Sequence, residues 1–137
     1  MRGEGQARGR AAALVLLVGG DSSARAALRE ALGPGYECRE AGAAEAGLKL
    51  LEAVAFDAVV LAGAPQNMPA AELLRLSRAA RPDVPVVVLL GAHEPVLATE
   101  CLHAGAFACL LRPFGAGEAR GVVGLAVDYR RGGRRSG

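Results

Sequence analysis

The chain has 137 residues, 52% of them apolar, 22% charged and 4% aromatic. That composition fits one globular domain and leaves no room for a second. It excludes disorder throughout, a membrane span of about 20 apolar residues, and a stacking platform for single-stranded nucleic acid, since Trp is absent. The net charge of +2 is uneven, because residues 1–10 and 130–137 hold seven Arg and one Glu, or +6, while residues 11–129 carry −4.

Cys38, Cys101 and Cys109 show no CxxC spacing and fall inside apolar or periodic stretches. They read as buried small hydrophobes, with neither a zinc site nor a disulfide framework, and point to a reducing cytoplasm. Arg2, Arg8 and Arg10 before the apolar run Ala11–Val18 resemble the start of a secretory signal. The run is short and leads straight into Gly19-Gly20-Asp21, so residues 1–11 are expected to be a disordered basic tail.

Leu14–Val18 is a continuous aliphatic run bounded by two glycines, the pattern of a strand buried on both faces. Asp21 or Ser22 can cap a helix carrying Ala24, Ala27, Leu28, Ala31 and Leu32, which Gly33-Pro34-Gly35 stops. Tyr36–Ala41 alternates like an edge strand, Ala43–Val54 has a helical stripe, and Asp57–Leu61 is a second buried strand. After the loop Gly63–Met68, Pro69 suits a first helical turn and Ala70–Ala80 continues it to Arg81-Pro82-Asp83. Val84–Leu90 is a third buried strand, and a loop with Gly91, His93 and Pro95 opens a helix through His103. Phe107–Leu111 is the last strand. Gly115–Tyr129 is the closing helix, weakened by Gly117, Gly121 and Gly124 at about 1 kcal/mol each against Ala.

Five strands alternating with five helices through short crossovers imply a parallel sheet covered on both faces, spanning residues 12–130. Function in such a sheet gathers at the carboxyl ends of its strands. The positions there are Gly19–Asp21, Ala62–Gly63, Leu90–Ala92 and Arg112–Phe114.

Residues 14–130 resemble a receiver domain of two-component response regulators. The resemblance rests on the order and spacing of Gly35-Tyr36-Glu37-Cys38-Arg39-Glu40-Ala41, Pro82-Asp83-Val84-Pro85-Val86-Val87-Val88-Leu89, Ala104-Gly105-Ala106-Phe107 and Leu110-Leu111-Arg112-Pro113-Phe114. It implies a flavodoxin-like three-layer α/β sandwich with a five-stranded parallel sheet of order 2-1-3-4-5 and five helices.

Receivers hold Mg²⁺ with two acids after the first strand and an Asp ending the third, and that Asp attacks the phosphoryl donor. Here the acidic positions fall on Gly19 and Gly20, with Asp21 one residue away, and the phosphoacceptor position falls on Ala62. The family's hydroxyl and aromatic switch positions correspond to Leu90 and Cys109. Its Lys position holds Arg112, an anion contact, before a bond to Pro113 that the resemblance implies is cis. The implied protein is a degenerate, stand-alone bacterial pseudo-receiver, cytoplasmic and not an enzyme, with no cofactor and no metal. It would signal through a protein partner or self-association on helix 4, strand 5 and helix 5, about Pro95–Tyr129. Ala98, Leu102, Ala106, Val122, Val123 and Ala126 are the apolar residues expected there.

The alternative is a ligand sensor binding a nucleotide or small anion at Gly19-Gly20, although neither a GxGxxG nor a Walker A sequence is present. His93 is expected in an exposed loop and His103 on the polar side of its helix, with no matched nucleophile, and Ser22 and Ser23 read as capping residues. Arg130–Arg135 reads as the start of a solvated, disordered Arg/Gly tail (131–137), so nucleic acid is not an expected partner.

Overall fold

The computed structural model describes residues 12–65 and 68–136, the last four by their backbone alone. Five strands, β1 (Ala13–Val18), β2 (Tyr36–Ala41), β3 (Ala58–Leu61), β4 (Val86–Gly91) and β5 (Ala108–Arg112), alternate with five helices. The helices are α1 (Ser22–Leu32), α2 (Ala44–Ala53), α3 (Ala70–Ala80), α4 (Pro95–His103) and α5 (Ala116–Ser136). All strand pairs are parallel, in the order β2-β1-β3-β4-β5. This is the flavodoxin-like sandwich expected from the sequence.

The central strands β1, β3 and β4 are buried on both faces, which is why they read as uninterrupted aliphatic runs. Side chains of successive strand residues point to opposite faces and build two core layers. One layer joins Val15, Leu17, Val60, Val87 and Leu110 to α1 and α5, and the other joins Leu16, Val59, Leu61, Val86 and Val88 to α2, α3 and α4. No helix among the described residues is long and apolar enough to cross a membrane.

Several element boundaries differ from the sequence expectation, for backbone reasons. Strand β4 begins at Val86 and not at Val84, because Val84 N–H closes a turn onto the Arg81 carbonyl and Pro85 has no N–H to donate. Asp57 precedes β3 and does not belong to it, since its carboxylate is taken up by side-chain partners described below.

The largest correction is at the C-terminus. The expected disordered tail from residue 131 is instead helical, as α5 continues through Arg130 and Arg131 to Ser136. Its glycines cost helix stability, but Ala119, Val123, Ala126 and Val127 bury one stripe against the sheet. The last turns are then held by arginines. Arg131 donates to both carboxylate oxygens of Asp57, at 3.2 and 2.9 Å, and Arg130 reaches Asp83 at 3.0 Å and Asp57 at 3.6 Å. Residues 1–11, expected to be a tail, lie outside the described residues.

Candidate functional site

The carboxyl edge of the sheet is built where the β1–α1 turn meets the end of β3. Val18 ends β1, and Gly19 and Gly20 follow with φ of +78° and +64°, a region that glycine enters without steric cost. A Cβ at Gly19 would stand 2.1 Å from the Gly63 carbonyl oxygen, and one at Gly20 would stand 2.7 Å from that of Ala62. The two turns are therefore in direct backbone contact, and any side chain at either glycine requires them to part.

Two arginines fasten this contact. Arg25 of α1 donates through Nη1 to the carbonyls of Gly19 and Gly20, at 3.0 and 2.8 Å, while its Nε pairs with Glu40 at 3.1 Å. Arg112, at the end of β5, donates through Nη2 to the Ala62 carbonyl at 3.2 Å. Ala62 is fully buried between them, its own N–H bonded to Val18. Asp21 is the one carboxylate in the β1–α1 turn, and its Oδ1 accepts from Ala24 N–H at 2.8 Å as the N-cap of α1.

The remaining residues singled out from the sequence fall as follows. Leu90 is buried and Cys109 half-buried against the same core layer. Neither supplies a hydroxyl or an aromatic ring to the edge. Burial raises the thiol pKa of Cys38, Cys101 and Cys109 alike, which keeps them protonated and unreactive near neutral pH. The Arg112-Pro113 peptide is cis. His93 and His103 are both exposed, His93 beside Arg112 on a cleft of about 890 Å³ that Glu30 and Phe114 also line. No group of three or more His, Cys, Asp or Glu side chains able to hold a metal ion occurs among the described residues.

Chemically, this edge offers a methyl group at Ala62, the charge of Arg112, and on the cleft beside Gly20 the side chains of Asp21, Ser22, Arg25 and Glu45. A buried methyl at Ala62 cannot attack phosphorus, and a carboxylate engaged as a helix cap is a poor sole ligand for Mg²⁺.

On the other side of the chain, the apolar residues expected on helix 4, strand 5 and helix 5 divide. Val123 and Ala126 are core residues, Ala98, Ala106 and Val122 are half-buried, and only Leu102 is freely exposed. The exposed large apolar side chains of this region are instead Val96 and Leu102 of α4, Leu111 of β5, and Leu125 and Tyr129 of α5. Sequence reasoning missed four of these because periodicity marks apolar positions without telling which stripe of a helix faces water.

A doubly wound five-stranded parallel sheet with its special turns gathered at the carboxyl edge defines a flavodoxin-like α/β domain. The sequence profile of the response regulator receiver domain matches residues 15–123, and the chain belongs to that family. Among solved structures it is similar to a CheY-like receiver domain protein from Methanospirillum hungatei JF-1, with a TM-score of 0.80, 22% identity and coverage of 89% of this chain and 98% of that one. It is also similar to the signal receiver domain of an HD domain-containing protein from Pseudomonas fluorescens Pf-5, with a TM-score of 0.83, 21% identity and coverage of 90% and 93%. NtrX from Brucella abortus matches with a TM-score of 0.83 and 24% identity over 91% of this chain, which spans only 29% of the NtrX chain. None of the curated proteins compared with the chain matches it.

Proposed function

We propose that this receiver domain works without accepting a phosphoryl group, as a signalling adaptor that presents a preformed surface to a protein partner. The observation that carries the reading is the backbone contact at the carboxyl edge, where Gly19 and Gly20 close onto Gly63 and the fully buried Ala62. It supports the reading because Ala62 corresponds to the phosphoacceptor and the two glycines to the acidic residues. The contact is fastened by Arg25 and Arg112, and the clefts of about 840 and 890 Å³ that open beside it are not lined by Ala62. The reading is supported too by Leu90, packed in the core, and Cys109, half-buried against it, at the positions that correspond to the switch pair.

The test is incubation with acetyl phosphate and Mg²⁺ followed by intact mass measurement. The mass is expected to stay unchanged in the natural sequence and in Ala62→Asp, since the surrounding acids are missing too. A stable gain of one phosphoryl group in the natural sequence overturns the adaptor reading. A gain only in Ala62→Asp means that the pocket can still open for Mg²⁺.

The docking surface is assigned to α4, β5 and α5, supported by the exposed side chains of Val96, Leu102, Leu111, Leu125 and Tyr129. Large exposed apolar side chains concentrated on one region mark protein contact sites. The double variant Leu102→Glu with Leu125→Glu removes apolar contact from solvent-facing positions and leaves the core untouched. It is expected to abolish partner capture, or concentration-dependent self-association in sedimentation velocity, without lowering thermal stability. Unchanged association by both measures rules this face out.

A further inference from the structure

We propose that the cleft at the amino edge of the sheet is a second binding site, for a small aryl anion: one flat ring carrying a single phosphate or carboxylate. The cleft lies between the C-terminal half of α5, the α3–β4 turn and the α4–β5 turn. Its volume of about 610 Å³ falls in the range of small-molecule sites, roughly 300–1,000 Å³. Of the side chains that support the docking surface, it shares Tyr129 alone.

Charge selects the anion. Arg78 and Arg130 line the cleft with one carboxylate, Asp83, and that carboxylate is already engaged. Asp83 takes Arg81 at 3.3 Å and Arg130 at 3.0 Å, and Asp57 takes Arg131 at 2.9 Å and Arg130 at 3.6 Å. Arg78 lines the cleft and makes no ion pair among the described residues; its one hydrogen bond runs from Nη1 to the Pro82 carbonyl at 3.0 Å.

Gly105 leaves room for the Arg78 guanidinium along the cleft: an added Cβ there would come within 2.9 Å of Arg78 Nε. Arg130, on the same wall, has a side chain only 6% exposed, and its buried Nε has no hydrogen-bond partner. An unsatisfied buried donor is costly, and an acceptor group bound beside it offsets that cost.

Shape selects the ring. Phe107 and Tyr129 face each other with centroids 5.4 Å apart at 47°, and Tyr129 remains 64% exposed. Together with Pro82 and Pro85, which also line the cleft, they give a flat ring apolar walls while its anionic group meets Arg78. Phosphate and carboxylate satisfy the same guanidinium geometry, so the two anions are separated by experiment.

The test is ¹⁵N-resolved titration of the intact protein with phenyl phosphate and with benzoate, using inorganic phosphate and phenol as half-ligands. Saturable shifts are expected at the amides of Gly105, Phe107 and Tyr129 with at least one aryl anion, and both half-ligands should bind roughly tenfold weaker or less. Arg78→Gln is expected to weaken binding at least tenfold. Tyr129→Ser, which changes an exposed side chain and so preserves the fold, should weaken it in the same direction. The proposal is overturned if neither aryl anion saturates, if shifts centre on Gly20 and Arg112 at the opposite edge, or if both variants bind as the natural sequence does. Such a failure leaves the adaptor reading intact, because that reading stands on Ala62 and on Val96, Leu102, Leu111 and Leu125, none of which lines this cleft.

Discussion

The two edges of the sheet handle charge in opposite ways. At the carboxyl edge, arginines reach across to backbone carbonyls of Gly19, Gly20 and Ala62, and the turn's one carboxylate caps its own helix. At the amino edge, Asp57 and Asp83 stand at the starts of β3 and β4 and are gripped by arginines of α5 and of the α3–β4 turn. The first arrangement joins two loops by backbone contact. The second ties the last helix to the sheet through ion pairs in which Arg130 and Asp57 are buried and Asp83 and Arg131 partly exposed. One edge is thus fastened through main-chain acceptors and the other through carboxylates.

Asp57 gives the sharpest way to break that comparison. Its Oδ2 accepts from Leu14 N–H at 3.0 Å as well as from Arg131. Asp57→Ala removes the acceptor of the Leu14 N–H and of the partly exposed Arg131, while the buried Arg130 keeps Asp83 at 3.0 Å. A buried donor left unsatisfied typically costs about 1–3 kcal/mol, so a loss of that size is expected in urea denaturation; a loss below about 1 kcal/mol would mean the cluster behaves as a surface pair.

The same contact sets a pH dependence. Burial works to raise the Asp57 pKa, but the hydrogen bonds from Arg131 and Leu14 and the nearby Arg131 and Arg130 charges outweigh it and hold the carboxyl below its ordinary 3.8. Asp83 is lowered too, first by its hydrogen bond from Arg81. A depressed folded-state pKa means that the unfolded chain binds protons first. Stability is therefore full above the ordinary carboxyl pKa and declines as pH falls through and below it. Asp57→Asn should flatten that acid decline.

Most of the fold was legible in the sequence because buried parallel strands leave uninterrupted aliphatic runs, as Leu14–Val18 does, and because Gly33-Pro34-Gly35 can only stop a helix. That Ala62 and Gly19-Gly20 stand at strand ends on the carboxyl edge was legible for a similar reason, since the aliphatic runs mark where each strand stops. What periodicity did not reveal was the closure of the edge, which depends on where Arg25 and Arg112 aim. The amino-edge cluster was also missed, as Arg130 and Arg131 looked like the start of a solvated tail. A topological signal for it existed. In a parallel sheet the crossover helices run back against the strands, so the end of α5 must lie beside the strand starts, where Asp57 and Asp83 wait 74 and 47 residues away from Arg131 and Arg130 respectively.

A smaller effect sharpens the other half of the comparison. Gly19 and Gly33 have nearly the same positive φ, +78° and +77°, but a Cβ at Gly33 meets nothing within 4 Å, whereas at Gly19 it runs into the Gly63 carbonyl. Gly33→Ala should therefore lose only the backbone strain of a φ of 77° with a ψ of −165°, a region essentially reserved to glycine, about 1–3 kcal/mol. Gly19→Ala should exceed that loss by the cost of prising two turns apart, about 1 kcal/mol or more. Thermal or urea unfolding of the two variants in parallel isolates the loop contact as their difference. Equal losses would mean that the β1–α1 turn can move away from β3 at little cost. In that case the carboxyl edge could open to admit ligands, and the reading of this receiver as permanently closed to phosphorylation would lose the observation on which it stands.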